Sequence, residues 1–134
     1  PLANYVSEDG VIDTTTRLMA NGYIPSPLRE IPYSKLKMSD VVEAALEKDA
    51  LAISSLNETG RVLGLKLSDI TNYFSPKKFI LSSNSHTFSR LIRKPAAKHM
   101  EKNLFPIFKG KISVEISDLK GKVSNVVRAS ALVA

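Results

Sequence analysis

The sequence predicts a helix-rich α/β fold made of one domain. Three observations lead to this prediction: residues 50–74 repeat their apolar positions with helical spacing, residues 78–81 and 112–116 have the pattern of short strands, and a helical segment follows each strand. A chain of 134 residues buries roughly two-thirds of the surface that its unfolded form exposes, which is enough for one hydrophobic core. We therefore expect one domain over residues 1–134 and no second domain.

The composition excludes several classes of protein. The chain has no cysteine, so a disulfide scaffold, a cysteine-based zinc site and a cysteine nucleophile are all excluded. Its apolar runs are only a few residues long, which is too short for a transmembrane helix, and the start at Pro1 has no signal-peptide pattern. We expect a cytoplasmic protein without a membrane partner.

The first element is a helix. The spacing of its apolar residues predicts a helix over Tyr5–Asn21, with Ser7 as its N-cap and Gly22 as its stop. Residues 22–38 follow and contain three prolines among serine, tyrosine and lysine residues. Such a composition predicts a loop with little regular structure.

A short second helix is predicted over Val41–Lys48. Ser39 and Asp40 open it, and the acidic side chain lies where the positive end of the helix dipole favours it. Asp49 is the predicted cap of the next helix. The order up to this point is therefore helix, loop, helix.

The longest helix is predicted over Ala50–Phe74, where Pro76 prevents its continuation. Small residues recur every four positions at Gly60, Gly64 and Ser68, and such a line allows close approach of another backbone or, as the functional alternative, of a ligand. The predicted apolar stripe of this helix comprises Ala52, Leu56, Leu63, Leu67, Ile70 and Phe74.

The remaining chain alternates strands and helices. It predicts a strand, a polar loop, two helical pieces, a strand and a final helix: Lys78–Leu81, Ser82–Ser85, His86–Arg93, Pro95–Asn103, Ile112–Ile116 and Lys122–Val133. Ligands of open α/β sheets usually bind at such a joint of strand, loop and helix. Because two strands make an incomplete sheet, we expect further strands to come from outside this chain.

Charge is distributed unevenly along the chain. Residues 1–76 carry 7 basic and 10 acidic side chains, whereas residues 77–134 carry 12 basic and 3 acidic ones, which gives the total of +6. Basic residues separated by apolar ones are typical of a solvated helix face. The alternative is a surface for a polyanion such as nucleic acid, centred on Lys77, Arg93 and Lys98.

No complete catalytic or metal-binding constellation is present in the sequence. It has no phosphate-binding glycine loop, dinucleotide fingerprint, zinc-protease motif or EF-hand loop. His86 and His99 lack a carboxylate at a spacing typical of a metal pair, and we interpret both as surface residues. We expect no catalytic residue, no metal ligand and no cofactor held by this chain alone.

Two segments resemble a known family. Residues 60–64, with the sequence Gly-Arg-Val-Leu-Gly, and residues 70–81, with the sequence Ile-Thr-Asn-Tyr-Phe-Ser-Pro-Lys-Lys-Phe-Ile-Leu, are similar to the C-terminal part of ROK proteins. These are bacterial sugar kinases and sugar-responsive repressors. Residues 40–45, 48–52 and 127–134 also resemble the family's helices. The resemblance implies the C-terminal portion of an actin- and hexokinase-like ATPase domain, which is of the ribonuclease H-like type.

The departures from the family pattern bear on function. Where the family's kinases have a run of glycines after the strand, this chain has Ser82, Ser83 and Asn84, whose side chains would crowd a nucleotide. These three residues are therefore predicted to be a degenerate nucleotide loop. Pro1 and Ala3 occupy the positions of a zinc-binding cysteine and a sugar-binding glutamate, so either the chain has lost both or its first residues are remnants of cloning.

The resemblance leaves three functional hypotheses. The first is the effector-binding and dimerisation portion of a ROK transcriptional regulator of sugar metabolism, a homo-oligomer that responds to a small sugar and contacts DNA through a preceding domain. The second is part of an ATP-dependent ROK sugar kinase, and the third is a basic nucleic-acid-binding module. ATP, Mg²⁺ and structural zinc would belong to a longer protein under either ROK hypothesis.

Overall fold

A computed structural model describes residues 8–22 and 24–116. Their helices and strands, in chain order, are α1 (Glu8–Asn21), α2 (Met38–Leu46), α3 (Ala50–Phe74), β1 (Lys78–Leu81), α4 (His86–Asn103) and β2 (Ser113–Ile116). Three short 3₁₀ helices lie in the connections, at Pro27–Glu30, Tyr33–Lys35 and Pro106–Phe108. The predicted helix-rich α/β fold is confirmed for these residues.

The long helix α3 is the centre of the fold and contacts α1, α2 and α4. Its packing against α4 is close because Gly60 and Gly64 lack side chains: a Cβ on Gly60 would come within 2.6 Å of the Pro95 ring. The small residues of α3 therefore allow close packing of another helix, which is the first of the two alternatives predicted for them. The buried apolar core draws on all four α-helices and on both strands, with Val11, Val41, Leu51, Leu63, Phe79, Phe88 and Val114 among its members.

Within the segment 22–38, residues 24–37 have more regular structure than the sequence predicts. Instead of a loop with little regular structure, they form two 3₁₀ helices anchored by the buried side chains of Leu28 and Leu36. The Arg29 guanidinium connects this segment to the end of α1 by donating a hydrogen bond to the carbonyl oxygen of Met19, and it donates a second one to the carbonyl oxygen of Ile24 within the segment. The three prolines are compatible with this arrangement because 3₁₀ turns need few backbone donors.

Helix α2 begins earlier and ends earlier than predicted. It runs over Met38–Leu46 rather than Val41–Lys48. The Asp40 carboxylate does assist its start, but it does so by accepting a hydrogen bond from the Lys37 backbone N–H at 2.9 Å. The helix ends before Lys48, which adopts a left-handed conformation with φ of 69°.

The predicted break at Pro95 is wrong. One continuous helix, α4, runs over His86–Asn103 with Pro95 in its interior. A proline removes one backbone hydrogen bond of a helix and usually kinks or ends it. Here the Pro95 ring packs into the space that Gly60 leaves on α3, so tertiary packing offsets the loss.

The end of α3 also differs from the predicted stripe. Ala52, Leu56, Leu63 and Leu67 are buried as expected, but Phe74 is 79% exposed. The helix stops there because Ser75 takes a left-handed conformation and its N–H bonds to the carbonyl oxygen of Thr71. The predicted N-cap is confirmed, since the Asp49 side chain accepts a hydrogen bond from Ala52 N–H at 3.0 Å.

The two strands form a parallel pair. Lys78 is opposite Ser113 and Leu81 is opposite Ile116, with α4 as the crossover between them. The second strand starts one residue later than the predicted Ile112–Ile116. Phe79, Leu81 and Val114 face the core. The predicted cap Ser7, the predicted helix Lys122–Val133, Pro1 and Ala3 lie outside the described residues.

Candidate functional site

The candidate site is the loop of residues 82–85, at the carboxyl-terminal edge of the parallel strand pair. Leu81 and Ile116 end the two strands side by side, and helix α4 begins at His86 directly after the loop. In parallel sheets this edge is the usual place for a ligand, because the loops there lie beside free N–H groups at a helix start. The predicted joint of strand, loop and helix is therefore present.

Ser83 holds the loop in its conformation. Its hydroxyl donates a hydrogen bond to the carbonyl oxygen of Ser85 at 2.7 Å and accepts one from the Ser85 N–H at 3.2 Å. The hydroxyl of Ser89, which is buried on α4, lies 2.8 Å from the same Ser83 oxygen. Because Ser83 has a single hydroxyl proton and gives it to Ser85, Ser89 is the donor in this last bond.

Ser85 caps helix α4. Its side chain accepts a hydrogen bond from the Phe88 N–H at 3.1 Å, and its carbonyl oxygen accepts one from the Ser89 N–H. Serine is one of the preferred N-cap residues because its oxygen satisfies a backbone donor that has no partner within the helix. Two of the loop's three serines are thus used to build the loop itself.

The other two loop residues have a different environment. The side chain of Ser82 is half-buried and that of Asn84 is exposed, and neither forms a hydrogen bond with another described residue. No side chain within residues 82–85 is ionisable. The loop can therefore offer hydrogen bonds to a ligand, but it supplies no general acid, general base or charged group for a phosphate.

The structure brings Ser82, Ser83 and Asn84 together in one loop beside α4, as the sequence predicts. Their proposed effect, crowding of a nucleotide, remains a prediction. Sequence reasoning missed that Ser83 is tied to Ser89. Its signal would have been a hydroxyl residue one helical turn after the cap at Ser85, on the face that meets the loop.

A second polar feature lies on α3. The Arg61 guanidinium forms a two-point ion pair with Glu58, with Nε–Oε1 and Nη2–Oε2 distances of 2.9 and 2.7 Å. The hydrogen bonds from Arg61 hold the pKa of Glu58 below its ordinary value, and the positive charge of Arg17 contributes in the same direction. This arrangement stabilises a carboxylate and makes Glu58 unsuited to acid–base catalysis near neutral pH.

The two histidines do not form a site. His86 is exposed at the start of α4, as predicted, whereas His99 is half-buried. Burial lowers the pKa of His99, and the positive charges of Lys102, Lys98 and Arg61 lower it further. Among residues 8–22 and 24–116, no group of three or more potential metal-ligating side chains is close enough to hold a metal ion.

A shallow groove of about 630 Å³ lies between α1 and the 3₁₀ helix at Tyr33–Lys35. It is open to solvent, and none of the residues that line it belongs to the 82–85 loop. Asp13, Arg17 and Tyr33 are exposed there and Thr16 is half-buried, so the groove lacks the enclosed surface typical of a small-molecule site. The residues that line it are Asp13, Thr16, Arg17, Ala20 and Tyr33.

The proposed basic surface is only partly available to a polyanion. Lys77, Arg93 and Lys98 are all exposed. Arg93, however, donates a hydrogen bond to the carbonyl oxygen of Val114 at 3.3 Å and so connects α4 to β2.

No helix in the described part of the chain is both long enough and apolar enough to cross a membrane.

Comparison with known proteins gives structural matches alone. No family model and no curated protein matches the sequence. The fold is similar to a ROK family transcriptional regulator that is a homologue of the Escherichia coli Mlc protein, with a TM-score of 0.72 and 20% identity. It is also similar to a candidate sugar kinase from Cytophaga hutchinsonii (0.74, 20%) and to a ROK family glucokinase from Streptomyces griseus solved with glucose and AMPPNP (0.74, 21%).

These matches confirm the resemblance to ROK proteins at the level of the fold. Each covers 98% of this chain, and the chain in turn covers 32% of the regulator, 43% of the candidate kinase and 42% of the glucokinase. The chain therefore spans about a third to just over two-fifths of the length of the structures that it matches. Because regulator and kinases match equally well, the fold alone does not separate the two functions.

Proposed function

We propose that the chain is the C-terminal portion of the effector domain of a ROK-type transcriptional regulator of sugar metabolism and that it has no catalysis of its own. In this proposal it contributes to binding of a small sugar effector and to self-association, in the cytoplasm. DNA contact is made by a different domain of the same protein.

The observation that carries the proposal is the chemistry of the 82–85 loop. A nucleotide site at this edge of the sheet depends on backbone that a phosphate or base can approach closely, and glycines provide it. Here Ser82, Ser83 and Asn84 carry side chains, and the Ser83 hydroxyl is bonded to both Ser85 and Ser89. A regulator that binds sugar without ATP does not need an open nucleotide loop.

The second candidate is a portion of an ATP-dependent sugar kinase. The observation in its favour is that a candidate sugar kinase and a glucokinase match this fold as well as the regulator does, with TM-scores of 0.74 and 0.72. The loop's lack of ionisable side chains does not contradict it, because a kinase's catalytic base can reside in another domain. The basic nucleic-acid-binding module is weaker, since Arg93 is partly engaged with β2.

DNA binding by the native protein that contains these residues separates the two candidates. We would measure fluorescence anisotropy of a labelled duplex from the promoter of its own gene, then add a panel of hexoses. A regulator is expected to bind with a dissociation constant of about 10⁻⁸ M or below at physiological salt and to lose affinity with one sugar.

Salt-sensitive binding that does not distinguish the promoter from a scrambled duplex, together with ATP-dependent phosphorylation of one hexose, would establish the kinase. Any coding sequence upstream of Pro1 in the native gene provides a second check. A winged helix-turn-helix there supports the regulator, and an Asp-x-Gly-Gly phosphate loop supports the kinase.

A further inference from the structure

One end of the molecule is unusually apolar. Seven large hydrophobic side chains are exposed among the described residues, and four of them belong to the last turn of α3 and the turn that follows α4. We call these four the apolar end. They are Tyr73, Phe74, Phe105 and Ile107, which are 84, 79, 56 and 66% exposed.

The two halves of the apolar end are fastened to each other. The Asn72 side chain accepts a hydrogen bond from the Phe105 N–H at 3.0 Å and donates one to the carbonyl oxygen of Asn103 at 3.4 Å. Leu104, between them, is buried. The Glu101 carboxylate accepts a hydrogen bond from Gly110 N–H at 2.8 Å and closes the turn. The exposed side chains therefore stand on a structured surface.

The area of the apolar end is sufficient for an interface. Its three rings together expose the equivalent of about two whole aromatic side chains, roughly 300–500 Å² at about 150–250 Å² per ring. With Ile107 the total is about 400–600 Å², the size of the largest patch on a typical monomer. Two such patches facing each other would remove about 800–1,200 Å² from water, close to the ~1,000 Å² that a specific interface needs.

The charges beside the apolar end limit the kind of partner. Lys77, Lys102 and Lys109 are exposed near it in the chain, against Asp69 and the hydrogen-bonded Glu101. A second copy would bring this mostly basic rim against itself, so its contact must be driven by apolar burial and opposed by charge. A separate acidic partner would be attracted by the same rim. Salt therefore distinguishes the two partners. It weakens the repulsion between two copies and so tightens their contact, whereas it weakens the attraction to an acidic partner and so loosens that contact.

We propose that the apolar end is the surface through which two copies of this chain associate. A twofold arrangement places the patch of one copy against the same patch of the other, which is the commonest geometry of homodimers. The patch then buries its aromatic side chains at the centre of the contact, where such residues usually provide most of the binding energy. This proposal rests on the self-association included in the proposed function and assigns a surface to it.

Sedimentation equilibrium of the 134-residue chain tests the proposal. The expected result is a species of twice 14.7 kDa at high concentration, with a dissociation constant in the micromolar range, about 1–100 µM. The variant Phe74→Ser/Phe105→Ser is expected to weaken association at least about tenfold. Raising NaCl from about 50 to about 500 mM is expected to tighten the wild-type dimer, because salt screens the repulsion between the basic rims.

The matched control is Tyr33→Ser, which removes an exposed ring from a different part of the surface and should leave association unchanged. Circular dichroism identifies a variant that has lost its fold, in which case Ile107→Arg is used instead. A wild type that stays monomeric, or a Phe74→Ser/Phe105→Ser variant that is folded and dimerises normally, overturns the proposal. Dissociation by salt also overturns it and indicates contact between oppositely charged surfaces. None of these outcomes depends on the DNA-binding result.

Discussion

Gly64 on α3 lies directly against the backbone of Ala96 on α4. A Cβ placed on Gly64 would come within 2.5 Å of the Ala96 carbonyl oxygen and within 2.8 Å of the Met100 nitrogen. Real Cβ atoms essentially never approach so closely, and here the neighbours are rigid helix backbone. The spacing between the two longest helices is therefore set by a missing side chain.

Gly64→Ala should destabilise the fold despite the higher helix propensity of alanine. The propensity gain is about 1 kcal/mol, whereas forcing α3 and α4 apart loses core contacts, and overpacking of this kind typically costs about 1–3 kcal/mol or more. We expect a net loss of about 1–2 kcal/mol in the free energy of unfolding, measured by urea denaturation.

Gly22→Ala is the matched control, because the nearest atom to its added Cβ would be the Leu18 carbonyl oxygen at 4.0 Å. It should change the free energy of unfolding by less than about 0.5 kcal/mol. If Gly64→Ala is as stable as Gly22→Ala, the close α3–α4 packing is incorrect.

The hydrogen bond between Ser55 and Thr15 should contribute measurably to stability. The two hydroxyl oxygens are 2.6 Å apart and both side chains are fully buried. Thr15 gives its proton to the Val11 carbonyl oxygen, so Ser55 is the donor between α3 and α1. Ser55→Ala is expected to cost about 1 kcal/mol on urea denaturation. Ser54→Ala, at the neighbouring half-buried position, should be close to neutral, and equal effects would contradict this assignment.

Removing the Ser83 hydroxyl should weaken the candidate loop. Ser83→Ala leaves the buried Ser89 hydroxyl without its acceptor and removes the bonds to Ser85. Leaving a buried polar group unsatisfied costs about 1–3 kcal/mol, so we expect a loss in that range and faster amide hydrogen exchange at Ser85. Ser82→Ala changes the same loop without removing a described hydrogen bond. Unaltered exchange in Ser83→Ala would show that Ser83 does not hold the loop.

The Glu58–Arg61 ion pair should add a small acid-sensitive contribution to stability. The folded-state pKa of Glu58 is lowered from 4.5, so its contribution is complete above that value and is lost as the pH falls through the folded-state pKa. Because both side chains are partly exposed, we expect less than about 1 kcal/mol. Urea denaturation from pH 7 to pH 3 of wild type and Glu58→Gln measures it. Parallel curves would show that the pair makes no acid-sensitive contribution.

Much of this fold follows from local sequence patterns. The helix Ala50–Phe74 and the strand Lys78–Leu81 are predicted at their observed bounds, because apolar periodicity and a flanking proline specify them. What sequence reasoning misses depends on contacts between distant residues. Pro95 stays within a helix because Gly60 makes room for its ring, and Phe74 continues the apolar stripe in sequence but lies beyond the packed surface of α3.

The candidate loop shows the same division. Its position after β1 and its residues Ser82, Ser83 and Asn84 are predictable, because a strand, a polar loop and a helix follow one another in the sequence. The bond between Ser83 and Ser89 is not, since it depends on how the first turn of α4 faces the loop. The choice between regulator and kinase also cannot be predicted from the order of strand, loop and helix, because proteins of both kinds share this fold.

The most direct test of the central claim is a calorimetric titration of AMPPNP with Mg²⁺ into the native protein that contains these residues, with and without its sugar. A regulator without a nucleotide site is expected to show no saturable heat up to about 1 mM nucleotide, while the sugar alone binds. Saturable nucleotide binding at micromolar concentrations, tightened by the sugar and accompanied by ATP turnover, would contradict the claim.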